Sequence, residues 1–120
     1  MSVVLYIEDN NANTELVRRY LGAIDCELII ANDGGSGITS AVDHRPDVIL
    51  LDIYLPDISG LDVAEQLRAI PELSATPLVA LTTDDSIELK NECLAHGFAE
   101  VLHKPVRPKH LLSVIEQITA

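Results

Sequence analysis

Several residue types are scarce in this sequence, and each shortage excludes a class of protein. Aromatic residues make up 3% of the chain and tryptophan is missing, so the core must be built from Val, Ile, Leu and Ala, a composition suited to α/β packing. Cys26 and Cys93 stand far apart and in no CxxC pattern, which argues against a disulfide framework or a zinc site and favours a cytoplasmic protein. No run approaches 18 apolar residues and no N-terminal signal pattern is present, so we expect no membrane association.

Basic residues are also few. The chain has 8 Lys and Arg against 19 Asp and Glu, which gives a net charge of -11 at pH 7. Nucleic acids and anionic membranes would repel such a chain at long range. We therefore expect proteins and cations as partners, with no direct binding of nucleic acid.

What the sequence does contain is a regular alternation of short apolar runs and helical periodicity. The runs have the length of strands and cover residues 3–7, 28–31, 47–51, 78–81 and 99–102. Helical stripes lie between and after them, at Leu16–Ile24, Ile38–Val42, Ala64–Ile70, 86–95 and Leu111–Ile118. Cap spacing supports two of the helix starts, with pairs at Ser59/Asp62 and Asp85/Glu88. The pattern predicts an α/β fold, a single doubly wound (βα)5 domain over residues 1–120 with a five-stranded parallel sheet in the flavodoxin-like order 2-1-3-4-5.

Chemically active side chains follow four of the five predicted strands. Glu8 and Asp9 follow the first, Asp52 the third, Thr82 the fourth, and Lys104 the fifth. The carboxyl ends of parallel strands meet at one edge of a sheet, so three carboxylates are expected together there, where a hard cation such as Mg²⁺ would neutralise them. An ionised Asp52 with a cation, a hydroxyl and a lysine nearby is the set that phosphoryl transfer to an aspartate needs.

Each of these residues also has an ordinary interpretation. Glu8, Asp9 and Asp52 are common in loops that follow strands, Thr82 suits a helix-capping segment, and Lys104 alone would be a solvated lysine. The convergence of all of them on one sheet edge favours the functional interpretation.

With these residues placed, the chain resembles the receiver domain of bacterial two-component response regulators over essentially its whole length. The matching segments are Tyr6–Asn10, Ile49–Gly60, Leu81–Thr82 and His103–Pro105. The second segment is highly specific, whereas the last two would mean nothing alone. The resemblance implies a phosphorelay signalling switch rather than an enzyme, which assists its own phosphorylation and dephosphorylation and takes its phosphoryl group from a histidine kinase or a histidine phosphotransfer protein.

The resemblance also implies a role for each site residue. Asp52 is the phospho-acceptor, and Thr82 and Lys104 sense the phosphoryl group. Asp52 and Asp9 bind Mg²⁺ directly, for which Mn²⁺ would substitute, while Glu8 acts largely through water. The backbone carbonyl of Tyr54 completes the protein ligands. A cis bond between Lys104 and Pro105 is implied as well.

One position departs from the receiver pattern. Receivers usually carry Tyr or Phe three residues before the lysine, where the ring turns inward on activation, and here the residue is Val101. We expect partners to dock on the face formed by the fourth helix, fifth strand and fifth helix, including Val101 and Lys109.

Two other functions remain as alternatives. A phosphatase of the haloacid-dehalogenase type places a second Asp two residues after its nucleophile, and that position is Tyr54 here, a poor general acid with its ordinary pKa near 10. A flavin-binding module is opposed by the acidic strand ends. The segment Asp33–Gly37 superficially suggests a phosphate-binding loop, but Ser40 breaks the GxGxxG pattern and a turn with a helix start is the better interpretation.

Overall fold

Five parallel strands form one sheet in the computed structural model, which describes residues 1–120. The strands are β1 (Ser2–Ile7), β2 (Cys26–Ala31), β3 (Val48–Asp52), β4 (Leu78–Thr82) and β5 (Glu100–His103). The helices are α1 (Asn11–Leu21), α2 (Gly34–His44), α3 (Gly60–Arg68), α4 (Ile87–Ala95) and α5 (Pro108–Thr119). A short 3-10 helix, Pro71–Leu73, precedes β4 and was not expected from the sequence. The strand order is 2-1-3-4-5, which confirms the predicted doubly wound topology.

The sheet separates two hydrophobic layers, because successive side chains of a strand point to opposite faces. In β1, Leu5 and Ile7 pack with α2, α3 and α4, whereas Val4 and Tyr6 pack with α1 and α5. Both faces of the central strands are therefore buried, as the near-continuous apolar runs predict. No helix is long and apolar enough to cross a membrane.

Several element boundaries differ from the sequence-based expectation. Asp52 and Thr82 are the last residues of β3 and β4 rather than the first residues after them, because parallel pairing continues to the end of each strand. Ser59 caps α3 as predicted. The predicted cap of α4 at Asp85 is wrong: Ser86 is the cap, with its hydroxyl accepting from Leu89 N. The carboxylate of Asp84 accepts a hydrogen bond from Ser86 N, and the turn that this bond closes places the start of α4 one residue later than predicted.

Candidate functional site

The alternation of side chains explains why three of the predicted site residues meet. Glu8, Asp52 and Lys104 each stand two residues beyond a strand residue that packs in the layer of α1 and α5. Those strand residues are Tyr6, Leu50 and Leu102. Because β1 and β3 are neighbours, the two carboxylates lie side by side, and the lysine reaches them from β5 across the end of β4.

Lys104 bridges the two carboxylates. Its Nζ lies 2.5 Å from Glu8 Oε1 and 3.5 Å from Asp52 Oδ2. Glu8 Oε1 also accepts hydrogen bonds from the Tyr6 hydroxyl at 3.1 Å and from Asn13 Nδ2 at 2.8 Å. Glu8 is 1% exposed, and its Oε2 accepts a hydrogen bond from Asp9 N at 3.1 Å, so both carboxylate oxygens are bonded to protein donors.

Asn13 was not predicted as a site residue. It lies in the first turn of α1, one turn after the cap Asn10, and its amide points back to Glu8. The sequence contains a signal for this contact, because a residue one turn into a helix that starts directly after an acidic pair is placed to face that pair.

Asp9 differs from Glu8 in its surroundings. It is exposed, and no protein donor bonds to its carboxylate. Carboxylate oxygens of Glu8, Asp9 and Asp52 nevertheless lie within 4.8 Å of one another. Clustered carboxylates of this kind repel each other and suit a hard, oxygen-binding divalent cation, so the donor set fits a metal ion.

The pKa values of the two buried carboxyl groups, those of Glu8 and Asp52, shift in opposite directions. Burial, together with the hydrogen bond and negative charge of Glu8, raises the pKa of Asp52 to about 7. Burial also acts to raise the pKa of Glu8, but hydrogen bonds with Asp52 and Lys104 outweigh it and lower that pKa to about 2. In the protein alone, burial and the neighbouring Glu8 therefore oppose ionisation of Asp52, an effect that the sequence-based expectation of an ionised Asp52 did not include. A divalent cation beside the group favours its ionised form.

Thr82 is the last residue of β4 and is 1% exposed. Its Oγ1 accepts a hydrogen bond from Asp84 N at 3.1 Å, so its hydroxyl proton remains available to an acceptor. Tyr54 N donates to Asp52 Oδ1 at 3.2 Å and orients the carboxylate from the β3–α3 loop. The site thus contains a carboxylate with a lysine, a free hydroxyl donor and a pair of acidic groups around it.

Val101 lies half-buried on β5 beside a cavity of about 180 Å³. The other residues that line this cavity are Thr82, Asp84, Asp85, Ser86, Lys90 and His103. His103 Nε2 bonds to the carbonyl of Thr83 at 3.1 Å and so joins β5 to the β4–α4 loop. The bond between Lys104 and Pro105 is cis, as the resemblance implies.

Comparisons with known proteins identify a family and similar folds. A family model described as the response regulator receiver domain matches residues 4–116. The polar-differentiation response regulator DivK of Brucella anthropi is 33% identical over 114 residues, which cover 94% of this chain and 92% of that protein. The chemotaxis protein CheY4 of Vibrio cholerae is structurally similar with a TM-score of 0.92 and 30% identity, over 98% of both chains.

A further similar structure contains a metal ion. The receiver domain of the sensor histidine kinase PA1611 of Pseudomonas aeruginosa has a magnesium ion coordinated in its active-site cleft. It is 27% identical to this chain, with a TM-score of 0.90 over 99% of this chain and 98% of that one.

Proposed function

Because the chain belongs to the response regulator receiver domain family, we propose that residues 1–120 form a phosphorylation switch of a two-component phosphorelay. Asp52 accepts the phosphoryl group from a phosphohistidine of a histidine kinase or a histidine phosphotransfer protein. Two free cysteines, Cys26 and Cys93, fit the reducing cytoplasm in which we propose that this exchange takes place. The observation that carries the proposal is the position of Asp52 Oδ2, 3.5 Å from the ammonium of Lys104 at the edge of the sheet.

Asp52 is favoured as the acceptor over its two acidic neighbours. Glu8 is buried, its Oε1 accepts three hydrogen bonds and its Oε2 accepts one from Asp9 N, so both of its oxygens are engaged. Asp9 is exposed and has no lysine beside it. In the transfer, an electron pair of an Asp52 oxygen forms the new P–O bond while the P–N bond of the donor breaks, and the donor imidazole leaves with the electron pair and takes up a proton.

We propose that the acidic cluster binds Mg²⁺, for which Mn²⁺ substitutes. When bound, the ion offsets the negative charge of the phosphoryl oxygens against that of the carboxylates. Asp9, Asp52 and the backbone carbonyl of Tyr54 are the proposed direct ligands, and Glu8 acts through water. The free carboxylate of Asp9 and the fully engaged carboxylate of Glu8 support this division.

After transfer, Lys104 and Thr82 are the proposed sensors of the phosphoryl group. The lysine exchanges its contact with Glu8 for a phosphoryl oxygen, and the hydroxyl of Thr82 donates its uncommitted proton. Both residues end or follow strands that lead into α4 and α5. We therefore propose that partners read the change on the face of α4, β5 and α5, including Val101 and Lys109.

The decisive experiment is chemical phosphorylation with acetyl phosphate or phosphoramidate and Mg²⁺, followed by intact-mass spectrometry. The wild type should gain one phosphoryl group and Asp52→Asn none. Asp62→Asn, an exposed aspartate in the first turn of α3, is the matched control and should be labelled like the wild type. Retention of the same single group by Asp52→Asn would refute the assignment.

The two alternative functions gain no support. In the phosphatase alternative Tyr54 would be the general acid, but its hydroxyl donates to Asp84, which raises the pKa of Tyr54 and makes it a still poorer acid. The flavin-binding alternative needs phosphate-binding donors at the strand ends. The donors Thr82 and Lys104 lie there beside three carboxylates, those of Glu8, Asp9 and Asp52, which repel a flavin phosphate.

A further inference from the structure

Backbone N–H groups at the glycine-rich start of α2 bind a carboxylate of the same chain. Asp57, in the β3–α3 loop, accepts hydrogen bonds from Gly34 N at 2.8 Å and Gly35 N at 2.9 Å, one with each carboxylate oxygen. A second aspartate, Asp33, is the N-cap residue of the same helix, and its Oδ1 accepts a hydrogen bond from Ser36 N at 2.7 Å. The backbone groups that a phosphate loop would offer to a ligand are therefore bonded to the carboxylates of this chain.

The missing side chain of Gly34 permits this contact. A Cβ at Gly34 would lie 2.5 Å from Ile58 Cγ1 and 2.9 Å from Val63 Cγ2. Real Cβ atoms do not approach other carbons so closely, so a side chain at position 34 would require the side chains of Ile58 and Val63 to move and would disturb the packing of the β3–α3 loop on α2. A carboxylate at the start of a helix is also favoured by the helix dipole, and its bonds with Gly34 and Gly35 lower the pKa of Asp57.

The loop that carries Asp57 is the one that directly follows Asp52. Its base is closed by a hydrogen bond of 2.7 Å from Gly60 N to the carbonyl of Ile53, and by an antiparallel bridge between Tyr54 and Ser59. Asp57 lies at the far end of the loop and fastens it to α2. The backbone at Tyr54 is thus fixed both at the base and at the tip of the loop.

We propose that Asp57 is a positioning residue for the metal site, which acts by clamping the β3–α3 loop to α2 and so fixing the backbone of Tyr54. This inference rests on the proposed function, in which the Tyr54 carbonyl is a metal ligand. The Tyr54 N–H also bonds to Asp52 Oδ1, so the same clamp orients the acceptor carboxylate. Asp57 touches neither the cation nor the phosphoryl group.

The first test is Mn²⁺ binding, followed by the loss of the free-ion electron paramagnetic resonance signal. Removing a partner that orients a metal ligand costs about tenfold to a hundredfold in metal affinity, and we expect Asp57→Ala to lie at the lower end, with a roughly tenfold loss. Asp57→Asn should lose less, because its amide oxygen still accepts one of the two bonds. Asp33→Ala is the matched control, since it removes a cap of the same helix without touching the loop, and its Mn²⁺ affinity should stay within about twofold of the wild type.

The second test needs no metal. Asp57→Ala should accelerate amide hydrogen exchange at Tyr54 and Gly60, whereas Asp33→Ala should not. Equal Mn²⁺ affinity in Asp57→Ala and the wild type, an equal loss in Asp33→Ala, or unchanged exchange in the loop would each overturn the inference. If the wild type binds no Mn²⁺ while the exchange result holds, the proposed metal site fails and the clamp of the loop stands as a purely structural contact, so the two failures are distinguishable.

Discussion

The hydroxyl of Tyr54 donates a hydrogen bond of 2.7 Å to Asp84 Oδ2 and joins the β3–α3 loop to the β4–α4 loop beside Asp52. The Tyr54 side chain is otherwise largely exposed, and Asp84 also holds the hydroxyl oxygen of Thr82 through its backbone N–H. One hydrogen bond therefore connects the loop after the proposed acceptor with the loop after the proposed phosphoryl sensor.

This bond should control the lifetime of the phosphoryl group. Hydrolysis needs a water in line with the breaking bond, and we expect Tyr54 and Asp84 to flank that approach because they lie in the loops beside Asp52. Tyr54→Ala removes both the bulk and the bond, so we expect its phosphoryl group to decay faster, by roughly tenfold, which corresponds to about 1.4 kcal/mol of barrier. Tyr54→Phe keeps the bulk and should decay at an intermediate rate. The measurement is loss of the phosphorylated mass after removal of the donor, and decay unchanged in both variants would contradict the prediction.

Replacing Asp9 should mainly weaken metal binding, whereas replacing its neighbour Glu8 should mainly lower stability. Asp9→Ala removes a proposed direct ligand and should weaken Mg²⁺ binding more than Glu8→Ala does. Glu8→Ala removes the shorter of the two carboxylate contacts of Lys104 and the acceptor of the Tyr6 hydroxyl, and should lower the free energy of unfolding by about 2 kcal/mol. Asp9→Ala relieves repulsion at an exposed position and should not destabilise the fold. Calorimetric titration measures the Mg²⁺ affinity of each variant, and urea unfolding measures its stability. An equal loss of Mg²⁺ affinity in the two variants would reject this division of roles.

His96 should make stability depend on pH. Its Nδ1 lies 2.8 Å from the carbonyl of Glu92 and its Nε2 lies 3.1 Å from Glu65 Oε1, so both ring nitrogens face acceptors and only the protonated ring satisfies both. These contacts raise the pKa of His96 in the folded protein, despite the nearby guanidinium of Arg68, which bonds to the carbonyl of Gly97.

Because the folded pKa is raised, the stabilisation is fully present below the ordinary pKa near 6.5 and is lost as the pH rises through the folded value. The wild type should therefore exceed His96→Gln in unfolding free energy by more at pH 5.5 than at pH 8.5. His96 is partly exposed and Glu65 is largely exposed, so the effect should stay below about 1 kcal/mol. Urea unfolding at both pH values measures this change in stability. Glu65→Gln removes the charge of one of the two acceptors of His96, so the dependence of its unfolding free energy on pH should be smaller than that of the wild type.

Phosphorylation should alter the α4–β5–α5 face. Helix α4 exposes Ile87 and Leu94, with 72% and 47% of their surface accessible. A tenfold change in the population of a shifted state needs about 1.4 kcal/mol of differential stabilisation, which two charge-assisted contacts can supply. Amide chemical shifts with and without beryllofluoride, a phosphoryl mimic, should change across residues 86–112. Changes confined to the acidic cluster would exclude transmission through this face.

The sequence predicted the parts of the molecule that depend on local pattern. Apolar runs located the strands, and the strand ends located Glu8, Asp52 and Lys104, because parallel topology brings such ends together. Properties that depend on distant partners were not predictable. The carboxylate of Asp57 is more than 20 residues from the amides that it binds, and the raised pKa of Asp52 depends on how completely the fold buries it.

The alternation of side chains along the strands has a consequence for how the two halves of the protein communicate. Glu8, Asp52 and Lys104 continue the set that packs with α1 and α5, whereas Thr82 continues that of Leu78 and Ala80, which pack with α2, α3 and α4. Elsewhere the sheet keeps these layers apart. A phosphoryl group on Asp52 that contacts both Lys104 and Thr82 would cross-link the two layers at the edge where the sheet ends. Mechanical stiffness across the layers should therefore rise with phosphorylation.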